Sequence, residues 1–300
     1  MQHDRSKLLT ELRNPDTMHL DTMSVEQAVD VMNKHDMIAV QAVEKIKPEV
    51  VKAINLIVPC LKAGGRLLYF GAGTSGRLGV LDASEVPPTF RAPPELVQGT
   101  IAGGMEAMFK AKEGAEDSPE GGAADVDAKI AGPNDVVMGI ATGGTTPYVW
   151  GALNRAAERG CKTIFFSCVQ AVPGEPKVDV VLRPLTGPEV VTGSTRLKAG
   201  TATKLVLNML TTLSFVQMGK VYQNLMVDLK CSNIKLWDRG ARIISTVTDL
   251  PKEQAMDLLK QADGHVKVAI VMHEAKVGAD DARKLIDRAG DRLADALKKA

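Results

Sequence analysis

The stretch Leu67-Leu68-Tyr69-Phe70-Gly71-Ala72-Gly73-Thr74-Ser75-Gly76-Arg77 decides the fold class. Its apolar start is continuous rather than alternating, the pattern of a strand covered on both faces. The glycine- and hydroxyl-rich segment after it opens a helix. At a helix start the first N–H groups have no intrahelical partner, and the positive end of the dipole lies there, so the turn favours an anion. Gly73 and Gly76 let a ligand approach the backbone closely, and Thr74 and Ser75 add hydroxyl donors.

The pattern recurs along the chain. Further apolar runs are Leu96-Val97, Val136 to Ile140, Thr163 to Phe166 and Val178 to Leu182, each followed by a break and a helical segment. This predicts an α/β protein with a parallel sheet between helix layers, whose ligands bind at the carboxyl ends of the strands. A second loop, Thr142-Gly143-Gly144-Thr145-Thr146-Pro147, leaves the run ending at Ala141, and Pro147 suits the first position of a helix. A third, Thr192-Gly193-Ser194-Thr195-Arg196-Leu197-Lys198, opens a long helix expected over 195–218.

The first loop also reads GxGxxG, but the acidic residue that holds a dinucleotide's ribose about 20 positions on is missing. No Gly-Lys-Ser/Thr ends it, so it is not a Walker A loop either. Three hydroxyl-and-glycine loops suit a compact phosphomonoester and a polyol better than a long dinucleotide.

Before this region, Ser24 is placed to cap a helix with Gln27 three residues on, and a second helix is expected from Pro48 to Gly64. Ser118 to Ala124 reads as a flexible turn. Beyond residue 249 the texture predicts three short helices, over 252–262, 266–272 and 280–299. The expected organisation is a helical segment over 1–60, a ligand-binding domain over 61–248 and a small three-helix domain over 249–300.

Composition sets limits. With 45% hydrophobic residues, the 300-residue chain can fill a core, and a formal charge of +1 gives no global field for nucleic acid. Only 4% of residues are aromatic, too few for a base-stacking platform. The four cysteines form no CxxC pair, and Cys60, Cys161 and Cys168 lie in or beside apolar runs, where reduced thiols are expected. No run reaches the roughly 18 apolar residues of a membrane span, and the polar start from Met1 to Lys7 lacks a signal peptide's apolar core. The expectation is a cytoplasmic protein without membrane or nucleic-acid partners.

Gly71 to Arg77, continuing through Leu81-Asp82-Ala83-Ser84-Glu85-Val86-Pro87-Pro88-Thr89-Phe90, closely resembles the N-acetylmuramic acid 6-phosphate etherases. So do Ile101 to Gly104, Glu113 to Asp117, the long stretch Glu189 to Thr201, and Asn224 to Asp228. The resemblance covers most of the chain. It implies a sugar isomerase (SIS) fold with a five-stranded parallel sheet flanked by helices, a small three-helix carboxyl-terminal domain and a homodimer. It also implies cleavage of the D-lactyl ether of N-acetylmuramic acid 6-phosphate, with Glu85 as general acid and Glu116 as general base and no cofactor. One departure is plain: where the family's second loop reads Ser-Gly-Arg-Thr-Pro, this chain has Gly143-Gly144-Thr145-Thr146-Pro147, without the serine hydroxyl or the arginine.

The implied chemistry suits two carboxylates with different proton affinities. Once the sugar opens to its aldehyde, the C2 proton is acidic and the C3 oxygen lies β to the carbonyl, so a base and an acid can eliminate the ether without a metal or a nicotinamide. Glu85 stands at the end of a short helix before Pro87-Pro88, where position is rigid and desolvation raises proton affinity. Glu116 lies among Glu113, Asp117 and Glu120, and the residues alone do not choose among these four. The substrate-binding set expected from the loops is Gly73, Thr74, Ser75, Gly76, Thr142, Gly143, Thr145, Thr146 and Ser194, with Glu189 and Lys198. Glu189 is placed to assist ring opening or hold a sugar hydroxyl, with a structural role as the equal alternative. His3, His19 and His35 are expected at the surface or a dimer contact, and no Cys/His cluster has metal-ligand spacing. Two rival readings are a non-catalytic sugar-phosphate sensor and an aldose–ketose isomerase using the same carboxylates.

Overall fold

The computed structural model describes residues 5–229 and 231–298. Five parallel strands organise the first of two units, which holds residues up to Ser84 and Glu95–Thr211. They are β1 (Leu67–Gly71), β2 (Val97–Ile101), β3 (Val136–Ile140), β4 (Lys162–Phe166) and β5 (Val180–Leu182), in the order β2-β1-β3-β4-β5. Gly71 stands level with Ile101 on one side and Ile140 on the other, so the carboxyl ends of β1, β2 and β3 finish together. The strand order reverses between β1 and β3, and this switch point is where loops from such a sheet diverge and leave a crevice. β1 and β3 are buried along their whole length, as their unbroken apolar runs predict. β2 is an edge strand whose middle, Gln98 to Thr100, is half exposed, which explains why its apolar signal was confined to Val97.

Helices flank the sheet: α1 (Val25–Glu44), α2 (Lys47–Lys62), α3 (Gly73–Phe90), α4 (Pro119–Ala128), α5 (Pro147–Glu158) and α6 (Lys198–Gln217). The expected capping box opens α1: the Gln27 N–H donates to Ser24 Oγ at 3.2 Å and the Ser24 N–H to Gln27 Oε1 at 3.0 Å. The long helix starts at Lys198, three residues later than its sequence suggests. α3 does not stop before Pro87-Pro88 but continues to Phe90, although the two prolines withdraw the N–H groups that Ala83 and Ser84 carbonyls would accept. Both α3 and α6 contribute residues to both units. No helix among the described residues is long and apolar enough to cross a membrane.

Ser118 to Ala124 is not a flexible turn. Ser118 caps α4 by accepting the Gly121 N–H at 2.9 Å, and Pro119 takes the first position. The glycines serve close packing: a Cβ on Gly122 would lie 1.9 Å from the Tyr148 carbonyl oxygen, and one on Gly151 would lie 2.0 Å from that of Pro119. α4 and α5 therefore touch backbone to backbone. Behind them Tyr148, Val149, Ala152 and Leu153 pack onto Leu68, Phe70, Val137 and Phe165 of the sheet.

Just before β1 and β3, Arg66 and Asp135 tie the two strands together. Asp135 Oδ2 accepts Arg66 Nη2 at 2.7 Å and the Gly132 N–H at 3.0 Å, while Oδ1 accepts the Arg66 backbone N–H at 2.8 Å. Burial alone would raise the Asp135 carboxyl, but the guanidinium and these N–H groups hold it below the usual carboxylate range.

The second unit comprises Glu85–Pro94 and the residues from Thr212 onward. It contains the hairpin β6 (Val221–Tyr222) and β7 (Leu225–Met226) and helices α7 (Ile234–Thr248), α8 (Lys252–Gln261), α9 (Val266–Ala275), α10 (Ala279–Arg288) and α11 (Leu293–Leu297). The unit begins earlier than the expected boundary at 249, because Val227, Leu229, Ile243 and Ile244 share one core with Leu259, Ile270 and Ile286. The single helix expected over 280–299 divides at Gly290 and Asp291, both with φ of 64°. At the centre, Lys267 is 3% exposed and reaches Asp228 at 2.8 Å and Asp291 at 2.6 Å, with Lys220 on the same two carboxylates.

Two outcomes follow from this packing. Gly122→Ala removes helix-breaking glycine yet lowers stability by about 2 kcal/mol or more, because the methyl meets backbone rather than a movable side chain; urea unfolding measures it. An acid titration of stability shows an Asp135 contribution that is complete above the usual carboxylate range and is lost as pH falls through the depressed value. In Asp135→Asn that limb of the profile is flattened.

Candidate functional site

All three loops face one cavity of about 260 Å³ in the first unit. Ala72, Gly73, Thr74 and Ser75 come from the start of α3, Thr142, Gly143, Thr145 and Thr146 from the turn between β3 and α5, and Gly193 and Thr195 from the approach to α6. The first two turns leave β1 and β3, the strands on either side of the switch point. Six hydroxyls, of Thr74, Ser75, Thr142, Thr145, Thr146 and Thr195, thus line a space beside helix starts. Hydroxyls and unpaired N–H groups are neutral donors, able to surround a tetrahedral oxyanion with hydrogen bonds from several sides. A Cβ on Gly143 would have nothing within 4 Å, so this position leaves room where the family pattern carries serine.

Glu116 lines the same cavity, whereas Glu113, Asp117 and Glu120 do not. It sits in a single 3₁₀ turn, Ala115–Asp117, entered through Gly114 at φ 75°. Geometry therefore sets Glu116 apart from acids that the sequence leaves equivalent, although Glu113 lines the neighbouring chamber. A second chamber of about 300 Å³ adjoins the first, sharing Ala72, Gly73 and Glu116 and extending past Arg77, Ala102, Ala107 and Lys112. Arg77 is committed to structure there, its Nε and Nη2 donating to the carbonyls of Met108 at 3.0 Å and Ala107 at 2.7 Å.

The other expected residues stand elsewhere. Glu85 is an exposed residue of the second unit and lines neither chamber. Gly76 is buried packing: a Cβ there would lie 2.6 Å from both the Gly71 carbonyl and Ile101. Ser194 is half-buried beside the cavity without lining it. Glu189 is fully buried, and its two oxygens accept the backbone N–H groups of Lys198 at 3.0 Å and Ala199 at 2.9 Å. It caps α6 rather than facing ligand. Burial raises its carboxyl above the ordinary value, with the two N–H groups and Lys198 opposing.

Lys198 is likewise turned inward, 2% exposed, with Nζ 3.3 Å from Nδ1 of His35. An ammonium can only donate, which assigns the lone pair to Nδ1 and the proton to Nε2, 3.1 Å from Asp16 Oδ2. Burial lowers the lysine's proton affinity, and Glu189, Asp36 and Asp16 oppose it. His35 is thus not a surface residue of the chain but a buried link between α1 and α6. His3 lies outside the described residues. His265, in the second unit, is held low by burial and by Arg91, whose Nη2 is 2.8 Å from Nε2. Among the described residues no His, Cys, Asp and Glu cluster could hold a metal ion. Cys161 and Cys168 are buried free thiols, and burial pushes Cys161 up to about 11.

Three cavity residues from outside the loops are absent from the expected substrate-binding set: Arg5, Leu8 and Glu11. No loop pattern marks them, because they belong to a polar amino-terminal segment that joins the site through long-range contacts.

The profile described as the glucokinase regulatory protein N-terminal SIS domain matches residues 49–157, and that of the C-terminal lid domain of glucokinase regulatory protein matches residues 223–277. With the β2-β1-β3-β4-β5 sheet and its loops at the switch point, these matches define a protein of the SIS class. Full-length relatives narrow the class. An N-acetylmuramic acid 6-phosphate etherase of Synechocystis is 48% identical over 99% of this chain and 97% of the relative. One of Vibrio campbellii is 53% identical over 92% and 90%, respectively. At that identity across nearly the whole length, the chain belongs to the N-acetylmuramic acid 6-phosphate etherase family. Among solved structures, a phosphoheptose isomerase from Francisella tularensis aligns with 65% of this chain and 100% of its own, at 19% identity and a TM-score of 0.48.

Glu189→Ala leaves two buried N–H groups without acceptors and lowers stability by about 2–3 kcal/mol in chemical unfolding, with Glu189→Gln losing less. Loss of turnover at unchanged stability would instead assign Glu189 to the substrate.

Proposed function

We propose that this chain is a carbon–oxygen lyase that cleaves the D-lactyl ether of N-acetylmuramic acid 6-phosphate, giving N-acetylglucosamine 6-phosphate and D-lactate. The observation that carries the reading is the position of Glu116, a carboxylate on the wall of a cavity built from three glycine–hydroxyl loops in a member of this family.

In the proposed reaction the loops hold the 6-phosphate and the open-chain sugar lies along the cavity toward Glu116. Glu116 takes the proton from C2, the C3–O bond breaks, and a C2–C3 double bond forms. The departing lactate oxygen is protonated by a general acid, a role that only the family motif supports for Glu85, since Glu85 lines neither chamber of the single chain. Water then adds at C3 and gives up a proton to the general acid, while Glu116 returns its proton to C2, so both carboxyls end in their starting protonation states. Both groups are carboxyls, and general acid–base transfer of this kind contributes about a hundredfold to ten-thousandfold per group. The chemistry calls on no metal or nicotinamide.

The proposed setting is the cytoplasm and the recycling of cell-wall amino sugars, and the proposed assembly is a homodimer. A dimer is supported by the outer face of α1, where Val25, Val29, Met37 and Val40 are exposed. Such an apolar stripe suits a second copy better than water.

Purified protein incubated with N-acetylmuramic acid 6-phosphate, without added metal or NAD, releases D-lactate. Glu116→Gln lowers that release at least about a hundredfold while its melting temperature stays unchanged. Intact substrate after long incubation with the wild type would defeat the assignment.

A further inference from the structure

The loop cavity holds six hydroxyls and two carboxylates, Glu11 and Glu116, but among its described lining residues Arg5 is the one cation. A phosphate monoester brings close to two negative charges at neutral pH. Neutral donors can solvate those charges, yet a fixed positive charge is needed to offset their repulsion from Glu11 and Glu116. The second loop, with Gly143 and Thr145, provides none.

Arg5 reaches this cavity because the segment carrying it is docked. Leu8 and Thr10 are 5% and 0% exposed. The Gly193 N–H donates to the Thr10 carbonyl at 3.0 Å, joining the segment to the third loop. Gln170 Nε2 donates to the Lys7 carbonyl at 3.1 Å. Gly193 also leaves room for Glu11, whose Oε2 would stand 3.1 Å from a Cβ there. The Leu8 N–H closes on the Arg5 carbonyl at 3.0 Å, so Arg5 begins an ordered turn rather than a loose tail. Its side chain is exposed toward the cavity, and no carboxylate of the described residues forms an ion pair with it.

We propose that Arg5 is the cationic phosphate contact of this site, delivered by the amino-terminal segment in place of an arginine in the second loop. The ligand class is a sugar 6-phosphate, so the proposal deepens the functional reading above and rests on its placement of the phosphate. Arg5 acts on binding and orientation and takes no part in proton transfer. A guanidinium suits the task because its fork of N–H donors matches phosphate oxygens and keeps its charge at any working pH.

The experiment compares wild type with Arg5→Ala, Arg5→Lys and Arg5→Glu. In Arg5→Ala the KM for N-acetylmuramic acid 6-phosphate rises about tenfold with kcat nearly unchanged, and the loss shrinks as salt rises. Arg5→Lys recovers part of the affinity, and Arg5→Glu is worse than Arg5→Ala. Calorimetric titration with N-acetylglucosamine 6-phosphate and with unphosphorylated N-acetylglucosamine separates this proposal from the catalytic one, since neither needs to react. Arg5-dependent binding of the phosphorylated sugar alone sustains the proposal even where lactate release is absent. Equal affinity of all four proteins for the phosphorylated sugar overturns it, even where lactate is released normally. An equal loss for both sugars overturns it as well, because that would place Arg5 on the sugar rather than the phosphate.

Discussion

The turn from β1 into α3 closes so tightly that only hydrogen fits at two positions. A side-chain carbon on Gly71 would lie 2.7 Å from the Gly76 nitrogen, and one on Gly76 would lie 2.6 Å from the Gly71 carbonyl. This mutual contact sets the first turn of α3 directly on the end of β1, where its free N–H groups join the cavity. Gly99 repeats the device one strand over, since a side chain there would strike the backbone of Val80 at 2.5 Å and push α3 off β2. The glycines of the motif therefore do two jobs. Gly73 lines the cavity, while Gly71, Gly76 and Gly99 bring helix and sheet together so that a cavity exists.

The site that results is largely neutral. Hydroxyls and backbone N–H groups dominate its wall, and charge enters through a few side chains from distant parts of the chain: Arg5, Glu11 and Glu116. The more conspicuous charges nearby are withdrawn into structure. Glu189 spends both oxygens on the start of α6, and Lys198 is buried against His35. A site assembled this way separates the groups proposed to hold phosphate from the carboxylate assigned to proton transfer, because the two arrive on different elements.

Most of the sheet was legible in the sequence because β1, β3 and β4 are covered on both faces and so carry unbroken apolar runs. Edge position blurred β2 and shortened β5. The loops were legible for the same local reason, their glycines and hydroxyls being contiguous in the chain. What local reading missed depends on tertiary contact. Gly121 and Gly122 look like a flexible turn until Tyr148 is placed against them. Glu189 looks available until its oxygens are found on Lys198 and Ala199. His35 carries no signal that it bridges Asp16 and Lys198, and nothing in the sequence separates Glu116 from its acidic neighbours.

The contact between α4 and α5 has a wider consequence for how this architecture tolerates change. Glu116 lies just ahead of α4, and Thr146 immediately precedes α5. Because the two helices abut through main-chain atoms at Gly122 and Gly151, the span from carboxylate to hydroxyl is gauged by peptide units and not by interdigitated side chains. Substitutions on the solvent-facing surfaces of both helices therefore leave this span in place, since main-chain contact sets it.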